Sequence, residues 1–276
     1  MQLAEPVAAA WTATLALEFS AEHGRTVLAH KLHEGPLVVQ KPFYPEGAGV
    51  CHAIVVHPPG GIAGGDDLKL QVAVRGGAAA LLTTPGATKW YRSAGPLARQ
   101  QVALRVDGAL EWLPQEAIVF DGARAEAGLE ADLAPNATLV GWDIVCLGRA
   151  GSGERYARGS YRFCTRVRRA GRLLWQERAQ LGGGRLLDSR AGLGGHTVFG
   201  TLFASPCDLE NGLISELRNS KPEDGEGSLT RLPGILLARY LGDSGEAARQ
   251  YFTGLWQLLR PALLGREASE PRIWRT

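Results

Sequence analysis

Four carboxylates at loop ends or in apolar surroundings, and one cysteine–histidine pair next to a strand, are placed where they could hold a divalent metal ion. Asp66 and Asp67 end a glycine-rich turn, Asp143 lies inside the apolar run Thr138 to Leu147, and Glu177 sits in a second strand-like segment. Cys51 and His52 join a soft thiol to an imidazole beside a strand. Carboxylate and hydroxyl oxygens hold a borderline cation weakly and exchange it quickly, which suits passage better than storage. A structural account is available for most of these residues: Asp66 and Asp67 as turn formers, Cys51 and His52 as strand fillers. Asp143 is harder to dismiss. A carboxylate in an apolar strand must be paired, hydrogen-bonded or facing water, because an unpaired buried charge is strongly unfavourable. Glu177 meets the same constraint, with Arg178 as an available partner.

Catalytic chemistry has less support. The six histidines, His23, His30, His33, His52, His57 and His196, belong to no HExxH pattern, and no Gly-x-Ser-x-Gly elbow is present. Gly148-Arg-Ala-Gly151-Ser-Gly153 follows an apolar strand, and it keeps open the alternative of a small-molecule or nucleotide-binding enzyme. Its spacing fits neither the dinucleotide fingerprint nor a P-loop, so a plain hairpin turn is the expectation. Two short basic clusters remain, Arg166-Val-Arg168-Arg169 and Lys89-Trp90-Tyr91-Arg92. The second combines residue types enriched in interface anchors, as does the tail Pro271 to Thr276 with Arg272, Ile273 and Trp274.

The chain has 276 residues, enough for a sizeable core without disulfide staples. Lys plus Arg number 30 against 28 for Asp plus Glu, a balance that argues against nucleic acid as a partner. Cys51, Cys146, Cys164 and Cys207 form no CxxC pair and are expected as reduced thiols. Neither a secretory signal nor a membrane-length apolar run occurs, so the cytoplasm is the expected compartment and no membrane partner is expected.

The elements that must position these residues are strands. After a lead-in over residues 1 to 10, Trp11, Ala13, Leu15, Leu17 and Phe19 alternate with more polar residues. Leu68, Leu70, Val72 and Val74 do the same between two glycine- and proline-punctuated turns, HPPGGIAGGDD and TPGATKWYRS. About a dozen such segments precede residue 205, among them Ala125 to Leu133, Thr138 to Leu147 and a long hairpin around Arg169-Ala170-Gly171-Arg172. This cadence predicts a sandwich, barrel or strand solenoid. Beyond the glycine-rich stretch Leu181 to Gly195 the texture changes. Asp208 is positioned to cap a helix to about Ser220 and Ser244 a second through Leu259, while Thr230 to Leu241 is ambiguous. The expectation is a mainly β chain: one domain without internal repeats, an elongated, sandwich-like or β-helix-like assembly of many short strands with a few C-terminal α-helices.

Five motifs occur in an order and spacing that resembles the urease accessory protein UreD family, also called UreH. They are HPPGGIAGGD, TPGATKWYRS, LEWLPQEAIVF at 110 to 120, WDIVCLGR at 142 to 149 and PRIWRT at the C-terminus. The resemblance implies a non-enzymatic role in installing the nickel centre of urease. It implies as partners a UreF-like scaffold, a UreG-like GTPase and the apo-urease subunits, with nickel(II) only in transit and no tightly bound cofactor. It further implies an internal wet path, for which Asp66, Thr84, Asp143 and Glu177 are the matching positions. The stretch around 181 to 207 matches the family poorly, and a general strand-rich scaffold unrelated to nickel is a third possibility.

Overall fold

A computed structural model describes residues 10–275; residues 1 to 9 of the expected lead-in over residues 1 to 10, and Thr276 of the tail, lie outside the described residues. Leu68, Leu70, Val72 and Val74 are all buried along the strand Asp67–Val74, with Lys69 and Gln71 exposed between them. This strand pairs in parallel with Thr12–Glu22 on one side and Ala98–Val106 on the other. The parallel run continues through Arg124–Leu133 to Ser160–Arg169, and the antiparallel strands Arg25–Glu34 and Arg172–Gly182 form the edges of a seven-stranded sheet.

The second sheet has ten strands. Cys51–Val56, Ala79–Thr83, Ala109–Trp112 and Thr138–Leu147 run parallel, after which Val198–Ser205, Ile235–Gly242 and Glu226–Leu232 add on antiparallel. From Cys51 to Arg169 the chain passes from one sheet to the other and back, so parallel neighbours are joined through a strand of the opposite sheet instead of a helix. The fold is mainly β in two facing sheets, wound as coils in its middle part.

Several local expectations are corrected. The segment Gly148 to Gly153 is not a hairpin turn: Thr138–Leu147 and Ser160–Arg169 belong to different sheets, and the link contains one 3-10 turn, Ala150–Ser152. Arg149 and Glu154 close it with an ion pair of 2.6 Å, and no helix of useful length follows to receive a phosphate. Thr230 to Leu241 resolves into two strands folded back at Pro233-Gly234, where Gly234 takes φ +84°. The helix expected from Asp208 is Asn211–Asn219, and no side chain caps it. Ser244 does cap the helix Gly245–Leu264, its hydroxyl accepting from Ala247 N at 3.1 Å.

That helix lies on the outer face of the second sheet, against Thr138–Leu147, Val198–Ser205 and Ile235–Gly242. Trp142, Leu202 and Ala238 therefore face the helix, whereas Leu139, Val145, Phe203 and Leu237 face the first sheet. Gly200 permits the close approach of helix and strand, since a Cβ there would lie 2.8 Å from the Phe252 ring. Alternation along one strand thus feeds two separate cores.

Candidate functional site

The inner face of the first sheet carries a lateral row of registered residues: Leu15, Leu70, Val102 and Leu129. The next two positions of the same row are Thr165 and Glu177. Across the gap, the second sheet presents its own row of Asp143, Thr201 and Arg239. An apolar row that turns polar in both sheets at the same end creates a polar seam inside the core.

The seam is hydrogen-bonded from sheet to sheet. Thr165 Oγ1 donates to Asp143 Oδ2 at 3.2 Å, and Thr201 Oγ1 donates to Glu177 Oε2 at 3.1 Å. Arg239 Nη1 donates to Glu177 Oε1 at 2.5 Å and lies 3.4 Å from Thr201 Oγ1. Exposure falls along this path: the Arg239 side chain is 47 % exposed and that of Glu177 23 %. Arg239 and Glu177 therefore stand at the mouth and Asp143 within.

A cavity of about 110 Å³ lies between the sheets, lined by Asp143, Thr165, Glu177 and Thr201 together with Thr84 and aromatic side chains. One water needs roughly 10–15 Å³ on this measure, so several fit. Asp143 is deep in the protein and yet keeps some accessible surface, because it faces this space. The indole N–H of Trp112, also in the lining, is buried without a protein acceptor, as expected of a donor facing water. Burial pushes the Asp143 carboxyl up to about 6, with the nearby Glu177 charge adding to it and the Thr165 hydroxyl working against it. Burial, then the Asp143 charge, likewise pushes the Tyr161 hydroxyl up.

Of the four residues matched to an internal path, Thr84, Asp143 and Glu177 line this one cavity and Asp66 does not. Thr84 accepts from Gln115 N at 3.0 Å. Asp66, 2 % exposed, is a staple: its oxygens accept from Trp11 N at 2.7 Å and Ala63 N at 2.8 Å, fixing the HPPGGIAGGDD loop to the first strand. Asp67 is at the surface, 3.4 Å from Lys69. Cys51 and His52 point to opposite faces of their strand and cannot share an ion; Cys51 is in the core, and His52 Nε2 meets Glu46 Oε1 at 2.6 Å. Among the described residues no group of three His, Cys, Asp or Glu side chains is arranged to hold a metal ion.

The residues expected as partner anchors divide. Lys89, Arg92 and Arg272 are exposed, and Tyr91 is half-buried with its ring edge-on to Phe120. Trp90 requires correction: at 1 % exposure it is a core residue packed edge-on against Tyr161 and presents nothing to a partner. Trp274 is half-buried between Trp142 and Trp256 and donates from Nε1 to Thr83 Oγ1 at 2.8 Å, which pins the tail to the helix-side core. Its polar tip is satisfied and its apolar ring covered, the usual fate of a buried indole.

Two groups of residues escaped the sequence reading. Thr165, Thr201 and Arg239 complete the seam, and only strand register reveals them. In the helix-side core, Arg260 is 0 % exposed and pairs with both oxygens of Glu111, at 2.9 and 3.0 Å, and with Glu46 at 2.7 Å. Trp256 Nε1 adds a bond of 2.6 Å to Glu111. No local signal marks this cluster: Glu111, between Leu110 and Trp112 in LEWLP, reads as an ordinary outward strand residue.

Comparison with known proteins finds one family model and many relatives that span nearly the whole chain. The sequence model of one family, described as UreD urease accessory protein, matches residues 12–275. A urease accessory protein UreD of Azoarcus sp. is 53% identical over 271 residues, covering 96% of this chain and 94% of the relative. One from Nitrosococcus oceani is 51% identical over 269 residues, 96% and 90% of the two chains. One from Pseudomonas aeruginosa is 50% identical over 271 residues, 97% and 96%.

Proposed function

Because this chain belongs to the UreD family of urease accessory proteins and acts in urease maturation, we propose that it is a nickel-insertion chaperone. It binds apo-urease together with a UreF-like scaffold and a UreG-like GTPase, and Ni²⁺ passes through its polar seam on the way to the urease active site. The GTP hydrolysis belongs to the partner, and the work takes place in the cytoplasm. No helix among the described residues is long and apolar enough to cross a membrane.

The observation that supports this reading is the seam itself. Two carboxylates and four threonines line one cavity between sheets whose facing residues are otherwise largely apolar. Hard oxygen donors, few in number and not closed into a cage, suit a cation that must leave again. The test replaces Asp143 by Leu and measures complex assembly and nickel per urease site in the same preparations. Passage through the seam predicts an assembled complex with nickel content reduced several-fold. Full nickel loading by an assembled complex refutes it.

A further inference from the structure

We propose that Arg239 is the gate of this cavity, a built-in cation whose guanidinium holds the mouth carboxylate Glu177 until a metal ion displaces it; this rests on the nickel-transit reading above.

Three observations meet at this residue. Arg239 is registered with Thr201, which is registered with Asp143, so it extends the polar row by one strand toward the surface. Its Nη1 holds Glu177 Oε1 at 2.5 Å and lies near Thr201 Oγ1, the oxygens a cation would meet on entering. Its side chain is 47 % exposed, so it can swing into solvent without opening a hole in the core.

The consequence is electrostatic. With Arg239 in place the mouth carboxylate is neutralised, and an incoming divalent ion meets a positive charge where it needs a negative one. With Arg239 swung away, Glu177 keeps only the Thr201 hydroxyl as a donor, and Asp143 stands behind it. An arginine suits this because its charge does not titrate in the physiological range, so the one nitrogen, Nη1, that faces both carboxylate and hydroxyl keeps the mouth cationic. The gate imposes selectivity as well: a monovalent ion competes poorly with a guanidinium for one carboxylate, whereas a divalent ion that also reaches Asp143 competes well.

The full-length chain tests this by titration with Ni²⁺. Arg239→Gln should tighten Ni²⁺ binding about tenfold or more, since it removes a like charge from the entry point. Arg239→Lys should fall between the two. Glu177→Gln on the Arg239→Gln background should abolish the gain, which a general loss of surface charge would not. A folded Arg239→Gln chain with unchanged Ni²⁺ affinity overturns the proposal, as does a gain that survives Glu177→Gln. Should Arg239→Gln fail to fold, the unsubstituted chain gives a second reading: the Arg239 Nε–H resonance should shift on addition of Zn²⁺, a diamagnetic substitute for Ni²⁺, and a resonance unmoved at saturating Zn²⁺ also overturns it. The parent reading fails differently, by full urease loading in the Asp143→Leu complex.

Discussion

Replacing Asp143 by Asn should stabilise the protein at neutral pH. Burial raises the Asp143 carboxyl from 3.8 to about 6, a shift of roughly two units, and each unit corresponds to about 1.4 kcal/mol between the two protonation states. Below about pH 4 the carboxyl is protonated in both the folded and unfolded chain, and the substitution changes little. Between about pH 4 and 6 the folded chain holds a proton that the unfolded chain has released, so the stability of the native sequence falls as pH rises through that window. Above about pH 6 the charge imposes its full cost, on the order of 3 kcal/mol, less whatever hydration the cavity supplies. Asn keeps the shape and can accept the hydrogen bond from Thr165 Oγ1. Urea unfolding of both chains at a series of pH values should give midpoints that coincide near pH 4 and diverge, with the Asp143→Asn chain higher, up to a plateau above pH 6. A difference that does not vary with pH, or a substituted chain less stable at pH 8, would falsify the burial of this charge.

Two further outcomes concern the helix-side core. Arg260→Met leaves Glu111 charged and buried at 2 % exposure, and should cost about 3–5 kcal/mol in the same unfolding assay, most of it recovered by adding Glu111→Leu. Trp274→Ala removes a ring packed on Trp142 and Trp256 and leaves Thr83 Oγ1 without its donor, so it should destabilise the chain by roughly 3 kcal/mol; urease activation that falls without any loss of thermal stability would instead make the tail an anchor for a partner.

The strands were legible where one face is wet. Alternation marks Thr12–Glu22 and Asp67–Val74 because each has exposed or half-exposed residues between buried ones. Val198–Ser205 is buried on nearly every residue, serves both cores and shows no alternation, so the strand that carries Thr201 stayed hidden in VFGTLFAS. The coiled winding was hidden too. The rungs at Leu70, Val102, Leu129 and Thr165 recur at unequal spacing, and no sequence repeat announces them. Asp143 and Glu177 were legible as anomalies, charges among apolar neighbours, but their common cavity is a property of register. Arg239 lies in a stretch that sequence left between helix and strand, and Arg260 meets Glu111 across 149 positions. Pairings at such separations are fixed by the winding of the sheets, which local composition does not encode.

The late position of the helix Gly245–Leu264 sets an order of events during synthesis. All the parallel strands, and the surface formed by Val140, Trp142, Leu202 and Ala238, leave the ribosome before the helix that covers them. At about 5–20 residues per second the nascent chain spends several seconds with this sheet face open to solvent. Parallel pairing between distant segments is also slow, which lengthens the interval. Release of an uncovered, strand-rich face into a crowded cell invites aggregation, so recovery of soluble protein should depend on growth temperature and expression rate more than the stability of the finished fold suggests.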